Sequence, residues 1–368
     1  MSLQPVWKSP NIDAEAVSWS PDGRYLAIGG EGVVILDFEE ALKDSSTGEM
    51  VPRGCYRDVD LGYIRDVSWS PDSRHLALIV STTKSIICEP KLAIAKVDPC
   101  LRLVWTYSDV VGIGCGGSTF KTVSWSPDGR YIVAGGFAIA LYLREWKKDR
   151  AVFEKLWEIN TVKRKIADVE RTLEIYRAFV IENRIYATGV QYSPRGVEGM
   201  LVETSLKGNI LAINSPDDFG ICSTMSHFYA ADVAPSRKYL ALGLTLPSPR
   251  RLRGPFGMIY VLKLSGNKLV KVAEVPIDIH PYALTWINDD IIAVIGMLPT
   301  TCPYKIYLGF YKIDDTKLEK LNEYVVNMLY IGAEARYYDL SYSKALNLLA
   351  VVAGDYRVRV YDVSRILE

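Results

Sequence analysis

Three stretches of this chain are nearly the same nine residues: Val17-Ser-Trp-Ser-Pro-Asp-Gly-Arg-Tyr25, Val67-Ser-Trp-Ser-Pro-Asp-Ser-Arg-His75 and Val123-Ser-Trp-Ser-Pro-Asp-Gly-Arg-Tyr131. Fainter copies stand at Val190–Pro194, at Val233–Pro235 ahead of Lys238-Tyr239, at Leu284–Trp286 and at Leu340–Ser343. Taking Trp19, Trp69, Trp125, Tyr192, Val233, Trp286 and Tyr342 as anchors, successive spacings are 50, 56, 67, 41, 53 and 56 residues. Each clear copy reads as strand, turn, strand. Glu15–Trp19 alternates and ends in an aromatic residue, as a half-buried strand does. In Ser20-Pro-Asp-Gly23, Pro presets φ, Asp can bond its own backbone and Gly accepts positive φ. Further apolar strands follow, with Arg24–Gly29, Val33–Asp37 and Val51–Val59 completing the first unit. Several short strands repeated at this period predict an all-β fold, a seven-bladed β-propeller of four-stranded blades.

The two ends complement each other. The last copy supplies strands at Arg336–Ser341, Leu346–Val352 and Arg357–Val363, and no fourth strand follows. The first copy has a spare extended segment ahead of it, Leu3–Lys8. Pairing Gln4–Lys8 with Arg357–Val363 closes the ring and removes an open sheet edge. Pro5 has no donor, so this strand belongs outermost. The propeller is expected to span residues 1–368 as a single domain.

The run Val17-Ser-Trp-Ser-Pro-Asp-Gly-Arg-Tyr-Leu-Ala27, followed by Val33-Val-Ile-Leu-Asp37, resembles the WD-repeat β-propeller superfamily in degenerate form. The Trp-Asp pair of that family is replaced by Leu36-Asp37 and Tyr361-Asp362, and its Gly-His pair is missing throughout. Its buried Ser/Thr-His-Asp-Trp network is therefore not carried over. The resemblance implies a platform that displays loops to protein partners. The expected function is a non-enzymatic protein–protein interaction scaffold. Two alternatives stay open: an RNA- or ribosome-associated propeller factor, and a metal-dependent hydrolase or lactonase using the channel mouth.

Composition narrows these classes. Lys plus Arg equals Asp plus Glu, 43 each, so any attraction to nucleic acid must be local. No basic segment leads into an apolar run at the N-terminus, and no apolar run reaches the roughly 18 residues of a membrane helix. A cytoplasmic location without membrane contact is the expectation. Only Gln4 and Gln191 represent glutamine, a depletion that fits a thermophilic source. The cysteines, Cys55, Cys88, Cys100, Cys115, Cys222 and Cys302, form no Cys-x-x-Cys pair. They read as free thiols, with Cys88 and Cys115 the first pair to test for a disulfide.

The longest spacing, Trp125 to Tyr192, contains Ile166, Val169, Leu173, Tyr176 and Phe179 or Val180 at intervals of three or four. That periodicity predicts a helical insertion over 162–180, between blades 3 and 4. Lys163, Arg164 and Lys165 lie at its start. A second basic cluster, Arg250, Arg251 and Arg253, lies in a proline-rich segment linking two strands of blade 5. These six residues are the partner-binding candidates, suited to an acidic protein surface or phosphate.

Signs of chemistry are sparse. Gly112–Gly117 matches Gly-x-Gly-x-x-Gly but opens a strand rather than a helix, so no dinucleotide cofactor is expected. No nucleophile elbow and no His-Glu-x-x-His motif occurs, so no catalytic residue is assigned. His227 and His280 each precede an anchor by six residues and are the only candidate metal ligands. Strand alternation places both histidines, the predicted helix and the arginine segment on one face, opposite the Ser-Pro-Asp-Gly turns.

Overall fold

A computed structural model describes residues 3–43, 62–81, 91–97, 101–108, 120–147, 150–160, 164–166, 169–193, 196–220, 226–247, 255–266, 268–301, 303–314, 316–329 and 338–367. Seven antiparallel sheets follow one another around a channel, each with its first long strand innermost, and the short strand Arg164–Ile166 adds a fifth to blade 4. We letter strands a to d outward. Strands a are Ala16–Trp19, Tyr63–Trp69, Phe120–Trp125, Val169–Ile181, His227–Val233, His280–Trp286 and Tyr338–Ser343. That of blade 7 adjoins that of blade 1, completing the ring.

The closing strand is where the sequence put it. Trp7–Lys8 pairs antiparallel with Val358–Asp362, Trp7 opposite Val360 and Lys8 opposite Arg359. Trp7 is buried and meets Phe38 edge-on, which also packs on Trp19. Phe38 opens a six-residue helix, Phe38–Lys43, that the sequence reading had not foreseen. The expected strand Val51–Val59 lies outside the described residues.

The repeated turn is held by its own side chains. Ser20 Oγ donates to Asp22 Oδ1 and accepts the Tyr25 N–H at 2.8 Å, while Asp22 Oδ1 accepts the Arg24 N–H at 3.1 Å. The same bonds recur at Ser70, Asp72, Arg74 and His75, and at Ser126, Asp128, Arg130 and Tyr131. Gly23 and Gly129 supply positive φ, and Ser73 takes that conformation in blade 2. The tryptophans ending strands a serve the neighbouring blade. Trp69 Nε1 donates to Ser18 O at 2.9 Å, Trp125 Nε1 to Ser68 O at 3.1 Å and Trp286 Nε1 to Asp232 O at 3.0 Å. The core is distributed accordingly, with one apolar cluster between each pair of adjacent blades.

The helical insertion at 162–180 is corrected by the structure. Arg164–Ile166 and Val169–Ile181 are strands, the second being strand a of blade 4. Among its buried residues, Leu173 and Ile175 lie on one side of a break in the alternation and Ala178 and Val180 on the other. The alternation breaks once because Ile175 faces Gly189 while Arg177 faces Thr188, leaving Tyr176 as an extra, bulged residue. One skipped beat in a period of two imitates a spacing of three or four. The blade 4 anchor is consequently Val180. Tyr192 lies in strand b, Arg184–Ser193. The spacings become 55 (Trp125 to Val180) and 53 (Val180 to Val233), leaving nothing inserted.

Candidate functional site

The bulge of blade 4 is one of five. Arg65, Lys121, Tyr176, Tyr229 and Tyr282 each stand four residues before their blade's anchor, at the position where the register with strand b skips one residue. A bulge re-aims a side chain without ending the strand. Here it lets two consecutive residues, such as Tyr176 and Arg177, both reach the channel. The equivalent positions of blades 7 and 1 hold Tyr338 and Glu15. A seven-membered ring of side chains results, divided into two halves.

One half is aromatic. Tyr176 and Tyr229 have ring centroids 4.7 Å apart, Tyr229 and Tyr282 5.8 Å, and Tyr282 stacks on Tyr338 at 4.7 Å. Burial raises all four phenols, that of Tyr282 to about 12, so they stay protonated. The other half is charged. Arg65 lies 3.7 Å from the Glu15 carboxylate, and Lys121 pairs with Glu174. Glu174 also accepts the Tyr192 hydroxyl. The Lys121 ammonium lies 5.2 Å from the Tyr176 centroid, so one phenol of the arc already faces a cation.

One residue deeper, the channel is crossed by charge. Arg177 Nη2 of blade 4 donates to Asp339 Oδ1 of blade 7 at 2.9 Å. Asp66 and Asp232 also act on Arg177 electrostatically. These carboxylates link neighbouring blades. Asp66 Oδ2 accepts the Val123 N–H at 2.8 Å, Asp339 Oδ2 the Val17 N–H at 2.9 Å and Asp232 Oδ2 the Trp286 N–H at 3.1 Å. The Arg177 and Asp339 side chains keep 22% and 13% of their surface accessible, so the pair faces the bore rather than solid core. Burial raises the carboxyls of Asp66 and Asp232, and brings that of Asp339 to about 6. One guanidinium does not balance three carboxylates.

The two histidines occupy the mouth as expected. His227 and His280 open strands a of blades 5 and 6, at the opposite end from the turns Ala234–Lys238 and Ile287–Ile291. His227 Nδ1 shares a 2.7 Å hydrogen bond with Tyr229 Oη. Burial lowers both imidazoles, and proximity to His227 lowers His280 further, so both are neutral near pH 7. His280 Nε2 is buried without a partner among the described residues. No group of three or more His, Cys, Asp and Glu side chains placed to hold a metal occurs among those residues, and all six cysteines lie outside them.

The basic candidates are placed only through their flanks. Arg164 and Lys165 lie on a strand that pairs with Glu170 and Arg171, at the mouth end of strand a of blade 4. Lys163, Arg250, Arg251 and Arg253 lie outside the described residues. Leu246 and Phe256, which bracket the arginine segment, bond to each other at the mouth face. The helix-like spacing of the bulged strand in blade 4 hides Tyr176 and Arg177 from sequence reasoning, which also missed Tyr229, Tyr282 and Tyr338 of the arc. A usable signal existed: Asp66 and Asp339 both stand three residues before their anchors.

No protein-family model matches the chain, and no curated protein matches it. Solved structures do. A chain of the Crystal Structure of Mitotic Checkpoint Complex superposes with a TM-score of 0.66 at 12% identity, covering 98% of this chain and 96% of that one. A chain of Kuenenia stuttgartiensis hydrazine synthase superposes with a TM-score of 0.63 at 12% identity, covering 97% of each. At such identity the likeness speaks to the fold alone. The fold is that of a seven-bladed β-propeller. No helix among the described residues is long and apolar enough to cross a membrane.

Proposed function

We propose that the protein is a non-enzymatic interaction scaffold that receives a protein partner at the mouth face of its channel. The observation that carries this reading is the bulged ring. Arg65, Lys121, Tyr176, Tyr229 and Tyr282 are bulged out of the regular ladder at the channel, where the tyrosines meet from blade to blade as a continuous aromatic wall. Tyrosine and arginine are the side chains that carry most binding energy at protein interfaces. On the opposite face, the Ser Oγ and Asp Oδ1 atoms of the Ser-Pro-Asp-Gly turns bond within the turns.

Around this mouth, Lys163, Arg164, Lys165, Arg250, Arg251 and Arg253 are the residues that would meet an acidic segment of the partner. The support is that the flanks of both segments open on the same face as His227 and His280. Affinity capture from the source cells, repeated with Arg250, Arg251 and Arg253 changed to Glu, tests the reading. The same protein should be captured by the wild type and lost by the triple variant, and its affinity should fall as salt rises. Capture that ignores both the reversal and salt removes the basic rim from the account. Capture of RNA that is lost with salt would favour the nucleic-acid alternative instead.

A further inference from the structure

We propose that the channel itself is a receptor for a single cationic side chain of a partner, an arginine, which enters between the tyrosine arc and the charged floor. This site is separate from the basic rim, and it would receive the opposite charge.

The charge balance of the bore is the first reason. At the mouth, Arg65 is matched by Glu15 and Lys121 by Glu174. On the floor, Arg177 faces Asp66, Asp232 and Asp339. The described channel groups are thus short of positive charge. Burial raises the carboxyls of the floor and Arg177 lowers them, so a further cation there would favour their charged form.

The second reason is independent of those acids. Phenol faces are negative at their centres and attract cations, Arg more often than Lys, by about 0.5–2 kcal/mol depending on desolvation. The protein uses one such face internally, where Lys121 sits beside Tyr176. Tyr229 and Tyr282 continue the same wall toward His280 and Tyr338. There two polar atoms stand orphaned among the described residues. The Tyr338 hydroxyl belongs to a side chain of a residue only 7% exposed and has no hydrogen-bond partner. His280 Nε2 is likewise buried and unpartnered. A buried polar atom without a partner costs about 1–3 kcal/mol, and an incoming donor would recover it. A guanidinium is planar, stacks on aromatic rings and carries five N–H donors with no acceptor. It therefore fits a wall that offers phenol faces and oxygen or nitrogen lone pairs above an acidic floor.

The test uses the full-length protein and Nα-acetyl-arginine-N-methylamide, with the citrulline analogue as its uncharged isostere, followed by intrinsic fluorescence and by NMR of the ligand. Saturable binding of the arginine probe, at least tenfold tighter than the citrulline probe, is expected. Tyr282→Leu should weaken it at least fivefold, in a protein whose circular dichroism matches the wild type. Should Tyr282→Leu fail to fold, Tyr229→Phe offers a gentler probe of the same wall and should change affinity measurably. The variant with Arg250, Arg251 and Arg253 changed to Glu should bind the arginine probe as the wild type does. That outcome separates this site from the basic rim. Equal binding of both probes, or no saturable binding of either by the wild type, overturns the inference.

Discussion

Replacing Arg177 by Met should expose how much of the ring depends on its channel floor. Met nearly preserves the length of the stem while removing the one cation that the described residues place in the cluster. Three carboxylates, each already tied to a backbone N–H of an adjoining strand, would then face one another. Breaking a buried ion pair by removing one partner costs about 3–5 kcal/mol, because a charge is left uncompensated. With 22% and 13% of the two side chains open to the bore, screening reduces this to roughly 2–3 kcal/mol. Unfolding entropy of about 2.1 cal/mol/K per residue, over 368 residues, makes each kcal/mol worth about 1.3 °C. The melting temperature at pH 8 should therefore fall by about 3–4 °C. Below the carboxyl range the loss should shrink, since protonated acids do not repel. At pH 5 the difference from wild type should be less than half that at pH 8. Adding Asp339→Asn to Arg177→Met should recover at least half of the loss. Scanning calorimetry at the two pH values decides. A fall under 1 °C at pH 8, or a double variant no better than the single one, would refute the reasoning.

Other outcomes follow from the same geometry. Asp339 has a carboxyl raised from the ordinary range to about 6, so folding takes up a proton between about pH 4 and 6. Its contribution is most favourable below about pH 4 and is lost as pH rises through 6. Asp339→Asn should flatten that part of the stability–pH curve. Asp72 is opposite in sign: His75, Ser70 and Arg144 hold its carboxyl below the usual range. Asp72→Asn should thus cost stability at pH 7, and the cost should shrink progressively as pH falls below the usual carboxylate range, as urea titration would show. Gly135→Ala should cost about 1–3 kcal/mol, because a Cβ there would lie 2.6 Å from Ile175 Cγ2 of the next blade. Deleting residues 1–9 should lower the melting temperature or bring aggregation, since Trp7 and its strand close blade 7. An unchanged melting curve would contradict that role.

What the sequence disclosed and what it hid have physical causes. The turns were legible because Ser-Pro-Asp-Gly satisfies itself locally, through Ser20, Asp22 and Tyr25. Ring closure was legible from strand arithmetic at the two ends. The mouth was placed correctly because His227 and His280 lie at fixed offsets from Val233 and Trp286. Blade 4 was hidden because its anchor, Val180, is not aromatic and its turn lacks the Ser-Pro-Asp-Gly signal. The bulge at Tyr176 then gave the strand a helix-like spacing. That misreading concealed Tyr176 and Arg177, while Tyr229, Tyr282 and Tyr338 stand before anchors that were placed correctly. Neither Tyr176 nor Arg177 is visible in local pattern, since their partners come from blades far away in sequence.

The central claim is that partners engage the bulged mouth of the channel rather than the turn face. The dissociation constant of a captured partner for two variants tests it most directly. The first variant carries Tyr229→Ala with Tyr282→Ala, on the mouth. The second carries Asp22→Lys with Arg24→Glu, on the opposite face. The account predicts at least a thirtyfold weakening for the tyrosine pair, the scale of an interface hot spot of about 2 kcal/mol, and a change under twofold for the turn pair. Unchanged affinity in the tyrosine pair, with loss in the turn pair, would contradict it.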